Sequence, residues 1–316
     1  MLEQNQGLLP QTQDRALPER RKPAALPPKL LYVSAALAIA FCIPLYRLFQ
    51  FALGSDLYSY ILLVPAVSIY LFVTHRPPAA PAARPGNRSI AIALAAAGAA
   101  SLVVYALASQ ATTPLPLQDS VAVTTLSFVL LIAAACAWFL DAPTLRAATF
   151  PLAFLLFMVP FPLAMEHGIE SFLQRGSAPP AFWFLRLAGT PVFREDLIFQ
   201  LPGITLHIAP ECSGIRSSIV LFMTSLVAGY LFLRSNWKRA ILTLAVIPLA
   251  LLRNGFRVFV IGQLCVSVGP HMIDSPIHHH GGPIFFGLSL IPFSIFTYYL
   301  VKSDRRNKRS KTQRAS

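Results

Sequence analysis

The 316-residue chain is a succession of long apolar runs separated by short polar breaks. Windows of roughly 17 to 25 apolar residues, enough for a helix to cross about 30 Å of hydrocarbon, fall at 30–53, 57–75, 89–109, 120–139, 145–164, 215–233, 239–264 and 283–301. This pattern predicts an all-α polytopic membrane protein of about eight transmembrane helices. The second window is short and the first contains Arg47, so tilting or a partly interfacial position is expected for either. The longest connection, 165–214, opens with a helix from Ile169 to Leu187, expected to lie on the membrane surface and to be interrupted at Pro179 and Pro180. It continues as DLIFQLPGITLHIA, where apolar and polar positions alternate on either side of Pro202-Gly203, the pattern of a small hairpin. Such a hairpin delivers Pro210-Glu211-Cys212-Ser213-Gly214 to the mouth of the sixth span.

Composition agrees with the pattern. With 55% hydrophobic and 12% charged residues, the chain has too little polar surface to cover a water-soluble globule of its size. Residues 1–29 are polar, basic and proline-rich, and read as a disordered cytoplasmic tail with no cleaved leader. The membrane domain covers 30–301, with its catalytic part at 197–286, and a second basic tail covers 302–316. The net charge of +13 does not point to nucleic acid. Most of the cations lie in the two termini and in the 76–88 and 234–239 loops, as expected if those segments are cytoplasmic. Both termini then face the cytoplasm, and the 165–214 and 265–282 segments face outward.

Those outward segments hold the residues least like membrane filler. Cys212 directly precedes the apolar run starting at Ile215, so it is placed at a helix N-terminus, where the dipole and unpaired amides favour a thiolate. The plain alternative is a small buried residue at a helix end. Glu211, Ser213, Gly214 and Arg216 surround it with polar groups. Arg253 and Arg257 lie four residues apart, on one helical face, with Asn254 beside them. A charge at that depth costs about 2.5–3.5 kcal/mol unless it is partnered or lines a wet cavity, and a guanidinium there suits a thiolate or an oxyanion. Snorkelling to the interface accounts for one such arginine more readily than for two. The third element is the run His278-His279-His280-Gly281-Gly282. Adjacent histidines point in different directions and only Asp274 lies nearby, so the run reads as a source of a general base, with no metal or other cofactor expected. The four cysteines, Cys42, Cys136, Cys212 and Cys265, show no metal-ligand spacing. A Cys212–Cys265 disulfide is conceivable if both lie outward, but it would block the thiol.

The ordered strings PECSGIRSS (Pro210 to Ser218), NGFRV (Asn254 to Val258) and HHHGGPIFF (His278 to Phe286) resemble the three motifs of the exosortase/archaeosortase family. The resemblance covers roughly the C-terminal third, and the eight-span layout is also similar. It implies a membrane-embedded cysteine transpeptidase or protease, with Cys212 as nucleophile, Arg257 as catalytic arginine and His278 as the histidine, His279 being the alternative. Arg253, Asn254, Arg216 and Glu211 are the supporting residues. The implied partner is a secreted protein ending in a sorting signal made of a short motif, one hydrophobic span and a basic tail. The implied setting is the cytoplasmic (inner) membrane. Two other readings stand beside it: a membrane transporter binding an anion at the arginines and histidines, and a non-catalytic factor in exopolysaccharide or surface assembly.

Overall fold

The computed structural model describes residues 26–75, 77, 86–112, 115–275 and 281–313, with the backbone alone at 211, 274 and 307–313. Helices dominate. In chain order they are α1 (Pro28–Ala40), α2 (Cys42–Gly54), α3 (Val64–Thr74), α4 (Arg88–Ser109), α5 (Leu117–Phe139), α6 (Ala142–Phe154) and α7 (Leu163–Leu187), then, after a short sheet, α8 (Ile215–Phe232), α9 (Asn236–Ser267) and α10 (Gly282–Gln313). Five of these, α4, α5, α8, α9 and α10, are each long and apolar enough to cross a membrane, and up to seven spans result if the broken pairs α1–α2 and α6–α7 each count as one. The 57–75 window corresponds to a shorter apolar stretch, Ser59–Thr74, whose first turn is a 3-10 helix. The expected eight windows therefore become five continuous helices, two broken pairs and one short helix. The break in the first window has a local cause. Pro44 cannot donate to Ala40, and its ring crowds that carbonyl, so the helix stops at Ala40 and restarts at Cys42.

The chain divides into two compact units. One comprises the chain up to Ile43 with Leu63–Leu107 and Thr124–Met158; the other comprises Pro44–Leu62, Ala108–Val123 and everything from Val159 onward. In the first, α3 packs on α6, and Leu30, Ala135, Leu140 and Ala148 form a buried cluster. The Ser127 hydroxyl donates to the Gly98 carbonyl at 2.8 Å, tying α5 to α4 without leaving a polar group bare in an apolar setting.

The second unit is organised around α9, on which α7, α8 and α10 all pack. Gly255 sets the closest approach. A Cβ there would stand 2.6 Å from the Pro180 Cβ and 3.0 Å from the Ser177 carbonyl oxygen, so only glycine lets α7 and α9 meet. The expected interruption of α7 does not occur: the helix runs unbroken from Leu163 to Leu187 with both prolines inside it. Close packing against α9 offsets the hydrogen bonds that Pro179 and Pro180 cannot make. At the other end of α9, the buried Lys238 ammonium lies 3.1 Å from the Asp304 carboxylate of α10, whose second oxygen accepts from the Arg234 amide at 3.0 Å. Ile284, Leu288, Ile291, Ile295 and Tyr298 share one face of α10 and are all exposed, an apolar stripe suited to lipid.

Between α7 and α8 lies an antiparallel three-stranded meander, β1 (Phe193–Glu195), β2 (Ile198–Leu201) and β3 (Ile204–His207). The predicted hairpin is β2–β3, with Leu201 facing Ile204 across Pro202 and Gly203. Proline at the first central position and Gly203 at φ +80° at the second make the type II pattern. Alternate residues Phe199, Leu201, Leu206 and Ile208 are buried against Ala178, Ala181 and Leu185 of α7 and Val258, Ile261 and Cys265 of α9. β1 is the strand the sequence pattern did not reveal.

Candidate functional site

Cys212 closes a single 3-10 turn, Pro210–Cys212, that follows β3. Its amide donates to the Ala209 carbonyl at 2.9 Å, and the Ser213 amide donates to the Pro210 carbonyl at 2.9 Å. The chain then reverses at Gly214, φ +70°, the residue that caps α8. The cysteine is thus set back from the helix start by this left-handed residue. The fully buried Ser213 hydroxyl accepts from the first α8 amide, that of Ile215, at 3.4 Å. Gly214 is doubly constrained, because a Cβ there would also sit 2.8 Å from the Asn254 Oδ1.

Asn254, buried in the middle of α9, is the tie between the elements. Its Nδ2 donates to the Cys212 carbonyl at 2.9 Å and to the Ser177 hydroxyl of α7 at 3.0 Å. The neighbouring Arg253, also buried, donates from Nη2 to the Gly214 carbonyl at 3.2 Å and to the Ser218 hydroxyl at 2.9 Å. Its acceptors are neutral: among the described residues Arg253 has no carboxylate partner. Arg257 follows one turn later, half-buried, near enough for the two guanidinium charges to repel. Cys212 itself packs, partly buried, on the cluster that holds Val258, Ile261 and Cys265. All four cysteines carry thiols.

The structure thus brings together Cys212, Asn254 and Arg253, with Arg257 on the same helix. Arg216 goes elsewhere: its guanidinium donates to the Ser59 hydroxyl at 3.2 Å and lies 3.6 Å from the Asp56 carboxylate, on the exposed loop after α2. The Glu211 side chain and the histidines His278, His279 and His280 lie outside the described residues. Both flanks of the histidine run are placed, however. Upstream, Met272 and Ile273 pack on the cluster that Cys212 packs on. Downstream, the Phe285 ring at the start of α10 meets Phe256, the neighbour of Arg257, with centroids 6.2 Å apart. Among the described residues, no group of His, Cys, Asp and Glu is arranged to hold a metal.

Ser177 is a site residue that the sequence reading missed, since a serine in an apolar helix carries no signal of its own, and Ser218, the last residue of the PECSGIRSS string, gains a contact there that the string did not assign. A second polar network was equally hidden. The buried Tyr58 hydroxyl donates to Glu166 at 2.6 Å, and Gln118 donates to Glu166 and, at 2.8 Å, to the Phe161 carbonyl.

No curated protein and no solved structure matches the chain. The family model described as transmembrane exosortase matches residues 51–295. That match runs from within α2 into α10 and takes in Cys212, Asn254 and Arg257 together, so the chain belongs to the transmembrane exosortase family, membrane proteins with a transpeptidase-type role in protein sorting.

Proposed function

We propose that this protein is a cysteine transpeptidase or protease that cleaves the C-terminal sorting signal of secreted proteins at the outer face of the cytoplasmic membrane. The observation that carries the reading is the Asn254–Cys212 hydrogen bond, which fastens the nucleophile's own peptide unit to the helix that bears Arg257. Both termini are cytoplasmic, the two basic tails at 1–29 and 302–316 flank a membrane domain at 30–301, and the substrate's hydrophobic span lies in the bilayer beside the enzyme.

His278, or His279 in its place, takes the Cys212 proton, and the thiolate attacks the scissile carbonyl carbon. The resulting oxyanion is held by Arg257, with Arg253 adding positive charge one turn away. Collapse breaks the C–N bond, the leaving amine takes the proton from the histidine, and a thioester to Cys212 remains. An amine on a cell-surface acceptor, or water, then attacks the thioester and returns a proton through the same imidazole to the Cys212 sulfur. The chemistry moves only protons and one acyl group, and needs no redox partner.

The test uses the full chain co-expressed with a tagged secreted protein ending in a short motif, one hydrophobic span and a basic tail. Cys212→Ala is expected to leave the substrate uncut, and brief incubation of wild-type enzyme is expected to yield a hydroxylamine-sensitive adduct. Unchanged processing by the Cys212→Ala variant would overturn the reading.

A further inference from the structure

Helix α10 has two faces. One, with Phe293 and Leu300, packs against α8 and α9. The other carries the exposed stripe from Ile284 to Tyr298, whose members recur every three or four residues. The stripe does not end at Tyr298, because Lys302 and Arg305 continue it at the same spacing and both are exposed. A face suited to lipid for about four turns thus becomes cationic at its end. The change comes where hydrocarbon gives out: Lys302 lies about 27 Å along the helix axis from Ile284, close to the roughly 30 Å of a bilayer core.

The surroundings keep these two charges open. The Lys302 ammonium lies over the Tyr298 ring at 6.0 Å, so it stands at the edge of the apolar stripe. Arg305 follows three residues on, with Cβ atoms about 5–6 Å apart at that spacing. The nearby carboxylate, Asp304, faces α9, where the Lys238 ammonium stands 3.1 Å away and the Arg234 amide donates to it at 3.0 Å. Helix positions two apart do not face each other, so Asp304 does not compensate Lys302. Among the described residues, neither Lys302 nor Arg305 is ion-paired to a carboxylate. Trp237, beside Lys238, and Tyr299, beside Tyr298, are exposed at the same end of the helices, the aromatic composition of a membrane–water boundary.

We propose that this end of α10 is a binding site for an anionic phospholipid, whose acyl chains lie along the stripe and whose phosphate is held by Lys302 and Arg305. The Lys238–Asp304 pair fixes the rotation of α10 that turns both cations toward lipid. A zwitterionic lipid covers the stripe equally well, but its own cation offsets the attraction of its phosphate. A soluble anion meets the cations and leaves the stripe bare. The continuity of apolar and cationic positions on one face selects a lipid of net negative charge. The site goes beyond the proposed function and does not depend on it.

The probe is an equimolar mixture of phosphatidylglycerol and phosphatidylcholine with identical acyl chains, added to the full-length protein in neutral detergent. Native mass spectrometry reads which lipid the singly loaded protein carries. Phosphatidylglycerol is expected to be favoured about tenfold, on the order of what two cations supply near a membrane surface. Lys302→Gln/Arg305→Gln should bring the ratio close to one, and Lys302→Glu/Arg305→Glu should invert it. Lys302→Arg/Arg305→Lys should keep the preference, since charge and position survive. Arg175→Gln/Arg186→Gln removes the same charge from exposed positions on α7 and should keep it too. A wild-type ratio of one would overturn the inference even if no variant assembles, and so would a preference that the Lys302/Arg305 glutamine pair leaves unmoved. Displacement of the lipid by excess inorganic phosphate would assign a soluble anion instead. A dimer that excludes lipid and survives both glutamine substitutions would give the stripe to a second copy of the chain; either result overturns the lipid site.

Discussion

Helix α9 buries two cations, and they are treated differently. Lys238, near its start, meets the Asp304 carboxylate at 3.1 Å and the Ser303 hydroxyl at 3.2 Å, so its charge is cancelled where it stands. Arg253, near its middle, is as deeply buried but is held by neutral acceptors, Gly214 and Ser218. A buried cation without a counter-charge is unfavourable to the fold, yet this one stands beside the Cys212 turn and one helical turn from Arg257. The contrast separates a cation that locks α9 to α10 from one whose charge meets no carboxylate among the described residues. In the proposed mechanism that positive potential is what the Cys212 thiolate and the oxyanion require.

Removing one member of the paired site should have the largest effect on the fold. Lys238→Ala takes the close cation from Asp304 and leaves it the Arg234 amide, an expected loss of about 3 kcal/mol read by unfolding in detergent, and Lys238→Met with Asp304→Leu should recover most of it. Arg253→Met should do the opposite, leaving thermal stability unchanged or raised while cleavage falls about a hundredfold or more, a loss of about 3 kcal/mol in transition-state stabilisation. If Arg253→Met and Lys238→Ala instead lose stability and activity in the same proportion, the contrast between the two sites collapses. Asn254→Ala is intermediate: it strips partners from the Cys212 carbonyl and the Ser177 hydroxyl, with an expected cost of about 1–3 kcal/mol in unfolding and a further drop in cleavage per folded molecule. The smallest effect is expected at Arg216, whose partner Asp56 is fully exposed. Arg216→Gln should leave the melting curve where it is.

How much of this was readable in the sequence depends on the range of the forces involved. The β2–β3 hairpin was legible because Pro202-Gly203 and the flanking alternation are local signals. The apolar windows were legible because hydrocarbon thickness sets their length. The unbroken course of α7 through Pro179 and Pro180 was not, since local propensity argues for a break and only the close approach of Gly255 on α9 opposes it. The pairing of Arg216 with Ser59 was equally hidden, because proximity to Cys212 in sequence says little about where a long side chain on α8 will turn. Arg253 and Asn254 stood out as polar residues in an apolar run, but their division of labour, one on Gly214 and the other on Cys212, depends on an α8–α9 register that no spacing encodes.

The unequal lengths of two neighbouring helices carry a further consequence. The 18 residues of α8 rise about 27 Å, close to one bilayer core, whereas the 32 of α9 rise about 48 Å. The Cys212 turn directly precedes α8, so it stands about one hydrocarbon thickness from that helix's far end, and the C-terminal turns of α9 pack beside the sheet. Under the proposed function these proportions would make α8 a depth gauge: the length of a client's own apolar segment would decide which peptide bond comes level with the sulfur, and a thicker or thinner bilayer would shift the cut.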